Sequence, residues 1–119
     1  MSNNKHHRID YVELSVTDLA IARAFYSRAF GWEFNEYGPM YAGIVGADGG
    51  EVGGLAVTEA PAPVGGPLVL LYSDDLDATV DAVRAAGGTI VNGPYAFPGG
   101  RRFHFSDPSG NELGVWATS

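Results

Sequence analysis

One pattern occurs twice in this chain. Val12-Glu13-Leu14-Ser15-Val16-Thr17-Asp18-Leu19 is answered 57 residues later by Val69-Leu70-Leu71-Tyr72-Ser73-Asp74-Asp75-Leu76. Each copy begins as a strand and ends as a helix start. A repeat of this kind constrains the fold more than composition does, because each copy must be one supersecondary unit that packs against the other.

In the first copy Leu19, Ala22, Tyr26, Ala29 and Phe30 recur at helical spacing behind a Thr17 or Asp18 cap, and Gly31 stops the helix. In the second, Leu76, Val80 and Val83 follow Asp74 or Asp75, and Gly87 and Gly88 end it. Three short strands are expected after each helix, near 32–37, 40–46 and 51–58, then near 88–92, 101–106 and 112–117. The offset grows in the second half of the unit, where Glu51-Val52-Gly53 aligns with Glu112-Leu113-Gly114.

The expected class is therefore α+β, with two tandem βαβββ modules pairing into a curved eight-stranded cup with helices outside. Residues 1–8 form a polar tail, and 9–119 form a single domain. Module 1 spans about 9–59, the Pro/Gly-rich linker 60–67, and module 2 about 68–117. Neither half is large enough to bury its own helix and sheet well. A ligand belongs on the concave face, unless the cup fills with its own side chains.

Seven basic against fourteen acidic residues give a net charge of −7. Nucleic acid is not an expected partner, since phosphate binding needs a basic face and only Arg101 and Arg102 are adjacent. The longest apolar stretch, around Leu68 to Tyr72, is far short of a membrane span, and the first eight residues lack the apolar core of a signal peptide. A cytoplasmic protein without membrane contact is expected.

Val16-Thr17-Asp18-Leu19, Phe25-Tyr26, Phe30-Gly31-Trp32, Asp74-Asp75-Leu76-Asp77 with Ala86-Gly87-Gly88, and the closing Asp107-Pro108-Ser109-Gly110-Asn111 stand in a telling order. Over about Ile9 to Ala117 the chain resembles the vicinal oxygen chelate superfamily of glyoxalase I, bleomycin-resistance proteins, fosfomycin-resistance transferases and extradiol dioxygenases. In metal-dependent members four side chains from the first and last strands of each half hold a divalent ion. The resemblance puts those positions at Tyr11, Gly53, Leu68 and Gly114, which depart from the His, Gln or Glu pattern throughout. No metal or other cofactor is expected at the ordinary site. The resemblance also implies a homodimer with ligand bound at its interface.

The closing turn sets a register: Ser106 opposes Glu112, His104 opposes Gly114, and Arg102 opposes Trp116. With the four former ligand positions facing inward, alternation places Tyr11, Glu13, Leu68, Leu70, Tyr72, Arg102, His104, Glu112, Gly114 and Trp116 in the cup. Tyr41 and Glu51 follow by the repeat, and Gly53 and Gly114 are expected to open volume at its centre.

Two functions fit that cup. One is a metal-free protein of the bleomycin-resistance kind that binds a small aromatic or cationic molecule, the cation being favoured by the negative net charge. The other is a lyase, isomerase or dioxygenase of the same superfamily, with Glu13 and His104 as an acid–base pair or a relocated divalent metal held by His104, Glu112 and Glu13. Solvated rim charges, or an internal pair between Arg102 and a glutamate, would account for the same residues without catalysis. Asp107 and Asn111 are assigned to the hairpin, Asp18 and Asp75 to caps. His6 and His7 are expected to point apart on an extended tail.

Overall fold

The structure, a computed structural model, describes residues 6–59 and 64–119. Most of the polar tail, 1–5, and half of the linker, 60–63, lie outside the described residues. The order of elements is β1 (Val12–Val16), α1 (Leu19–Phe30), β2 (Glu33–Glu36), β3 (Tyr41–Val45), β4 (Glu51–Val57), β5 (Leu70–Tyr72), α2 (Leu76–Ala85), β6 (Thr89–Phe97), β7 (Gly100–Ser106) and β8 (Glu112–Ala117). This is α+β with two βαβββ modules.

The strands form two four-stranded sheets, ordered β1-β4-β3-β2 and β5-β8-β7-β6. In each, the first strand runs parallel to the last and the other pairings are antiparallel. Among the described residues no ladder joins the sheets. They are tied instead at the β7–β8 turn, where Asn111 Nδ2 donates to the Ser15 carbonyl at 2.7 Å and the Thr17 N–H donates to Ser109 Oγ at 3.0 Å.

The helices start as the repeat requires. Asp18 Oδ1 accepts from the Ile21 N–H at 3.0 Å, and Asp75 Oδ1 from the Ala78 N–H at 3.1 Å. Their ends differ. Gly31 closes α1 at φ 72°, a left-handed conformation that favours glycine, whereas Ala86 caps α2 in the right-handed region and the left-handed turn falls one residue later at Gly87.

Strand alternation sends one face of each sheet to the helices. Val16, Leu55, Phe103, Phe105, Leu113 and Val115 are buried there against Ala22, Phe25, Tyr26, Val80 and Val83. Aromatic contacts link the halves, with Phe25 and Phe30 on α1 lying 5.9 and 5.6 Å from Phe105 of β7; within the first module Tyr26 stacks on Trp32 at 4.6 Å. Pairs of this kind each add roughly 0.5–1.5 kcal/mol beyond area burial. The opposite faces carry Tyr11, Tyr41, Tyr72, Tyr95 and Trp116, with Glu13, Glu51, Arg102, His104 and Glu112.

His6 and His7 depart from expectation. Their rings stack at 3.7 Å, because His7 takes φ 64° rather than the extended backbone that would point them apart. Among the described residues no helix is long and apolar enough to cross a membrane.

Candidate functional site

On the first sheet the open face is organised around Glu51. Its Oε1 accepts from Tyr37 OH at 2.7 Å and Asn35 Nδ2 at 3.0 Å, and its Oε2 accepts from Tyr11 OH at 2.7 Å. Tyr11 also lies 2.7 Å from Tyr41 OH. A phenol has one proton, so Tyr11 donates to the carboxylate and Tyr41 donates to Tyr11. These donors hold the Glu51 carboxyl below its ordinary range, led by Asn35 and followed by Tyr37 and Tyr11. The Tyr11 and Tyr41 hydroxyls are pushed up chiefly by desolvation, with carboxylate charge adding. For Tyr41 part of that charge comes from Glu13.

A bulge sets this cluster. Ile44 pairs with Gly53, but Val45 pairs with Glu51, so Val52 is an extra residue in β4. Glu51 consequently shares the open face with Gly43 and Tyr41, while Gly53 turns to the other side opposite Val12. The expected inward placement of Gly53 is thus corrected: Gly54, paired with Glu13 and Gly43, holds the open-face position.

The expected central volume is also corrected. A Cβ at Gly54 would run into the Tyr41 hydroxyl, one at Gly43 into the Glu51 carboxylate, and one at Gly114 into Leu70. These glycines make room for neighbours in their own module.

On the second sheet the hairpin register is as expected: Ser106 with Glu112, His104 with Gly114, Arg102 with Trp116. Leu70 and Tyr72 pair with Gly114 and Trp116. His104 is 9% exposed, with Nδ1 2.8 Å from Glu112 Oε2 and Nε2 3.0 Å from Tyr95 OH. Tyr95 OH also accepts from Arg102 Nε. The Arg102 guanidinium lies 5.5 Å from the Tyr95 ring centroid and 5.6 Å from that of Phe97. Trp116 meets Tyr72 edge-on at 5.1 Å and Phe97 at 6.2 Å.

The expected acid–base pair is not brought together. Both ring nitrogens of His104 are engaged, by Glu112 and Tyr95, whereas Glu13 is exposed on the other sheet beside Tyr41. An ion pair between Arg102 and a glutamate is not formed among the described residues either.

Among the described residues two clefts lie along the seam between the sheets. The larger, about 690 Å³, is apolar and lies on the helix side between Leu14, Ile44, Gly53, Leu71 and Trp32. The smaller, about 440 Å³, brings Glu13, Leu68 and Glu112 to one opening.

Asn35, Tyr37, Tyr95 and Phe97 are site residues that sequence reasoning missed. A signal for the last two was present: Phe97-Pro98-Gly99-Gly100 makes a two-residue hairpin turn that sets Tyr95 opposite Arg102.

A family model described as the glyoxalase/bleomycin resistance protein/dioxygenase superfamily matches residues 8–115. The chain belongs to that superfamily. It is similar to the glyoxylase-named protein CFP32 of Mycobacterium tuberculosis, 30% identical over 90% of this chain and 44% of the relative. It is also similar to the anthracycline biosynthesis protein DnrV of Streptomyces peucetius, 28% identical over 89% and 45%. The chain therefore spans less than half the length of these two relatives. Among solved structures, TnmS3, an antibiotic binding protein from Streptomyces sp. CB03234, matches at TM-score 0.69 and 26% identity over 100% of both chains. A family enzyme from Burkholderia phytofirmans matches at TM-score 0.78 and 20% identity, over 93% of this chain and 98% of its own, and shows the fold alone.

The divalent ion of metal-dependent members does not fit the residues present. Tyr11 spends its proton on Glu51, Leu68 has no donor atom, and Gly114 is covered by Leu70. At the remaining position neither Gly53 nor Gly54 carries a side chain. Among the described residues no three His, Cys, Asp or Glu gather where they could share an ion, so His104, Glu112 and Glu13 do not make the relocated site.

Proposed function

We propose that this protein binds a small aromatic molecule on the open face of its sheets, in a cup that uses no metal. The observation that carries this reading is the aromatic wall of the second sheet. Tyr72, Trp116, Phe97 and Tyr95 stand together there, and Tyr72 is 54% exposed although it sits within a strand. Rings held rigidly on the open face present large contact area at little entropic cost. The antibiotic-binding relative supports a small-molecule ligand.

The first sheet contributes a polar counter-surface. Glu51 and its tyrosines are satisfied among themselves, so they offer a preorganised wall and leave no demand for an ion. The exposed apolar strip of Leu68, Leu70 and Tyr72 suits closure by a second copy, and a cytoplasmic homodimer is part of the proposal. A lyase, isomerase or dioxygenase activity would have to begin from His104, whose ring is already held at both nitrogens.

Elemental analysis and NMR of untagged protein test this together. The expected result is no stoichiometric divalent metal, and movement of the Trp116 indole resonance with little change at Trp32 when planar aromatic compounds are added. A stoichiometric metal overturns the metal-free cup. An unmoved Trp116 across a panel of planar aromatics overturns the ligand site.

A further inference from the structure

Arg101 and Arg102 are neighbours in sequence and opposites in structure. Alternation along β7 sends Arg101 to the helix side, where its guanidinium donates to Asp77 of α2 at 2.9 Å. Arg102 points to the open face, is partly buried, and has no carboxylate within 4 Å among the described residues. In a chain with twice as many acidic as basic residues, an arginine held on the aromatic wall without a carboxylate is informative.

Its position is fixed, not merely vacant. Nε donates to Tyr95 OH, and Tyr95 is held in turn by His104, which Glu112 anchors. The guanidinium lies over the Tyr95 and Phe97 rings. Nε is therefore spent, while the two terminal nitrogens keep their donors. A planar fork of this kind matches a carboxylate or another anionic oxygen pair, which an ammonium does not.

Trp116 is directly opposite Arg102 across the β7–β8 ladder, which brings their Cβ atoms to about 5 Å. A flat ligand against Trp116 thus has its edge beside the guanidinium. Glu112, the carboxylate on the same face of β8, is four residues away, about 13 Å along the strand, and is occupied by His104.

We propose that Arg102 is the anion-recognising group of the cup and that the ligand is a planar aromatic molecule bearing an anionic oxygen substituent, such as a carboxylate or phenolate. This rests on the aromatic-cup reading above and decides against a cation, which the net charge alone would favour. Long-range charge governs approach; the group within contact distance governs which ligand is retained.

The test compares 2-naphthoate, 2-naphthamide and 2-naphthylmethylamine with the full chain, following the Trp116 indole resonance. Naphthoate is expected to bind roughly ten- to hundredfold tighter than the amide, the scale of a charge-assisted hydrogen bond. Arg102→Gln should remove that preference, with Arg102→Lys retaining part of it, and Arg101→Gln should leave it intact. Should Arg102→Gln fail to fold, Arg102→Lys and the comparison of ligands on the unaltered chain still decide. Equal binding of all three compounds, or preference for the amine, overturns the role of Arg102 while keeping the aromatic cup. No movement of Trp116 with any of them overturns both.

Discussion

Glu51 and Glu112 occupy equivalent places in the internal repeat, each opening the last strand of its sheet, and they have acquired different company. Three donors from Asn35, Tyr37 and Tyr11 enclose Glu51, whereas among the described residues Glu112 bonds to His104 alone and so fixes the imidazole that positions Tyr95 and Arg102. The turns before them differ in the same way. In the first module the turn at 46–50 has an exposed tip at 47–49, with Asp48 Oδ1 accepting one local bond from the Gly50 N–H at 2.9 Å. In the second, the turn at 107–111 is the joint between modules. One carboxylate gathers its donors around itself, and the other sets a chain of partners in place; the backbone plan the modules share leaves that choice to individual side chains.

The hairpin contrast predicts the largest effect. Asp107 is 4% exposed and accepts from Tyr26 OH at 2.8 Å, from the Ser109 and Asn111 N–H groups at 2.9 Å each, and from Asn111 Nδ2 at 3.0 Å. Burial, followed by the charge of Asp107 and their hydrogen bond, raises the Tyr26 hydroxyl far above its ordinary range, so it remains a donor. Asp107→Ala strands several buried donors at once, each worth roughly 1–3 kcal/mol, and should cost about 3 kcal/mol or more. Asp48→Ala loses one exposed local bond and should cost less than about 1 kcal/mol. Urea denaturation measures both. Equal losses would mean the second turn is no more a joint than the first.

Where the modules are built alike, their responses should match. Asp18 and Asp75 are extended N-caps with nearly the same bond length, so Asp18→Ala and Asp75→Ala should each cost about 1 kcal/mol. Urea midpoints that differ by more than the whole cost of one cap would show that equivalence of geometry is not equivalence of energy in this repeat.

The same contrast explains what the sequence disclosed. The repeated Asp-Leu pair placed both helix starts to within one residue, and Pro108-Ser109-Gly110 fixed every pairing of the second hairpin because a short turn leaves no freedom in register. Tyr11 followed from the family resemblance, Tyr41 and Glu51 from the repeat, and His104 and Arg102 from alternation, and all five lie on the open face. Gly53 did not, because one bulged residue reverses every later side chain and the sequence around Val52 carries no signal for it. Tyr95 was missed for another reason: Gly93-Pro94 reads as a strand end, yet β6 continues through it to Phe97 as the outermost strand of its sheet, where proline is tolerated. Which polar groups would satisfy one another was not legible, since Asn35, Tyr37 and Glu51 converge only after three strands have paired.

That convergence gives the smallest and most specific prediction. The donors around Glu51 favour its charged form and lower its folded-state pKa, so their contribution to stability is fully present above the ordinary glutamate value, about 4.3. It is lost as pH falls through the depressed folded-state value, because the protonated carboxyl has no such preference for the folded environment. Glu51→Gln removes the charge and keeps the shape. The wild-type advantage in urea midpoint should therefore be greatest near pH 7 and shrink as pH falls below about 4. Solvent access to this partly exposed group keeps the effect modest. An advantage that persists or grows in acid would mean that the donors around Glu51 hold it by shape rather than by its charge, and the cluster of the first module would then be a matter of packing and not of electrostatics.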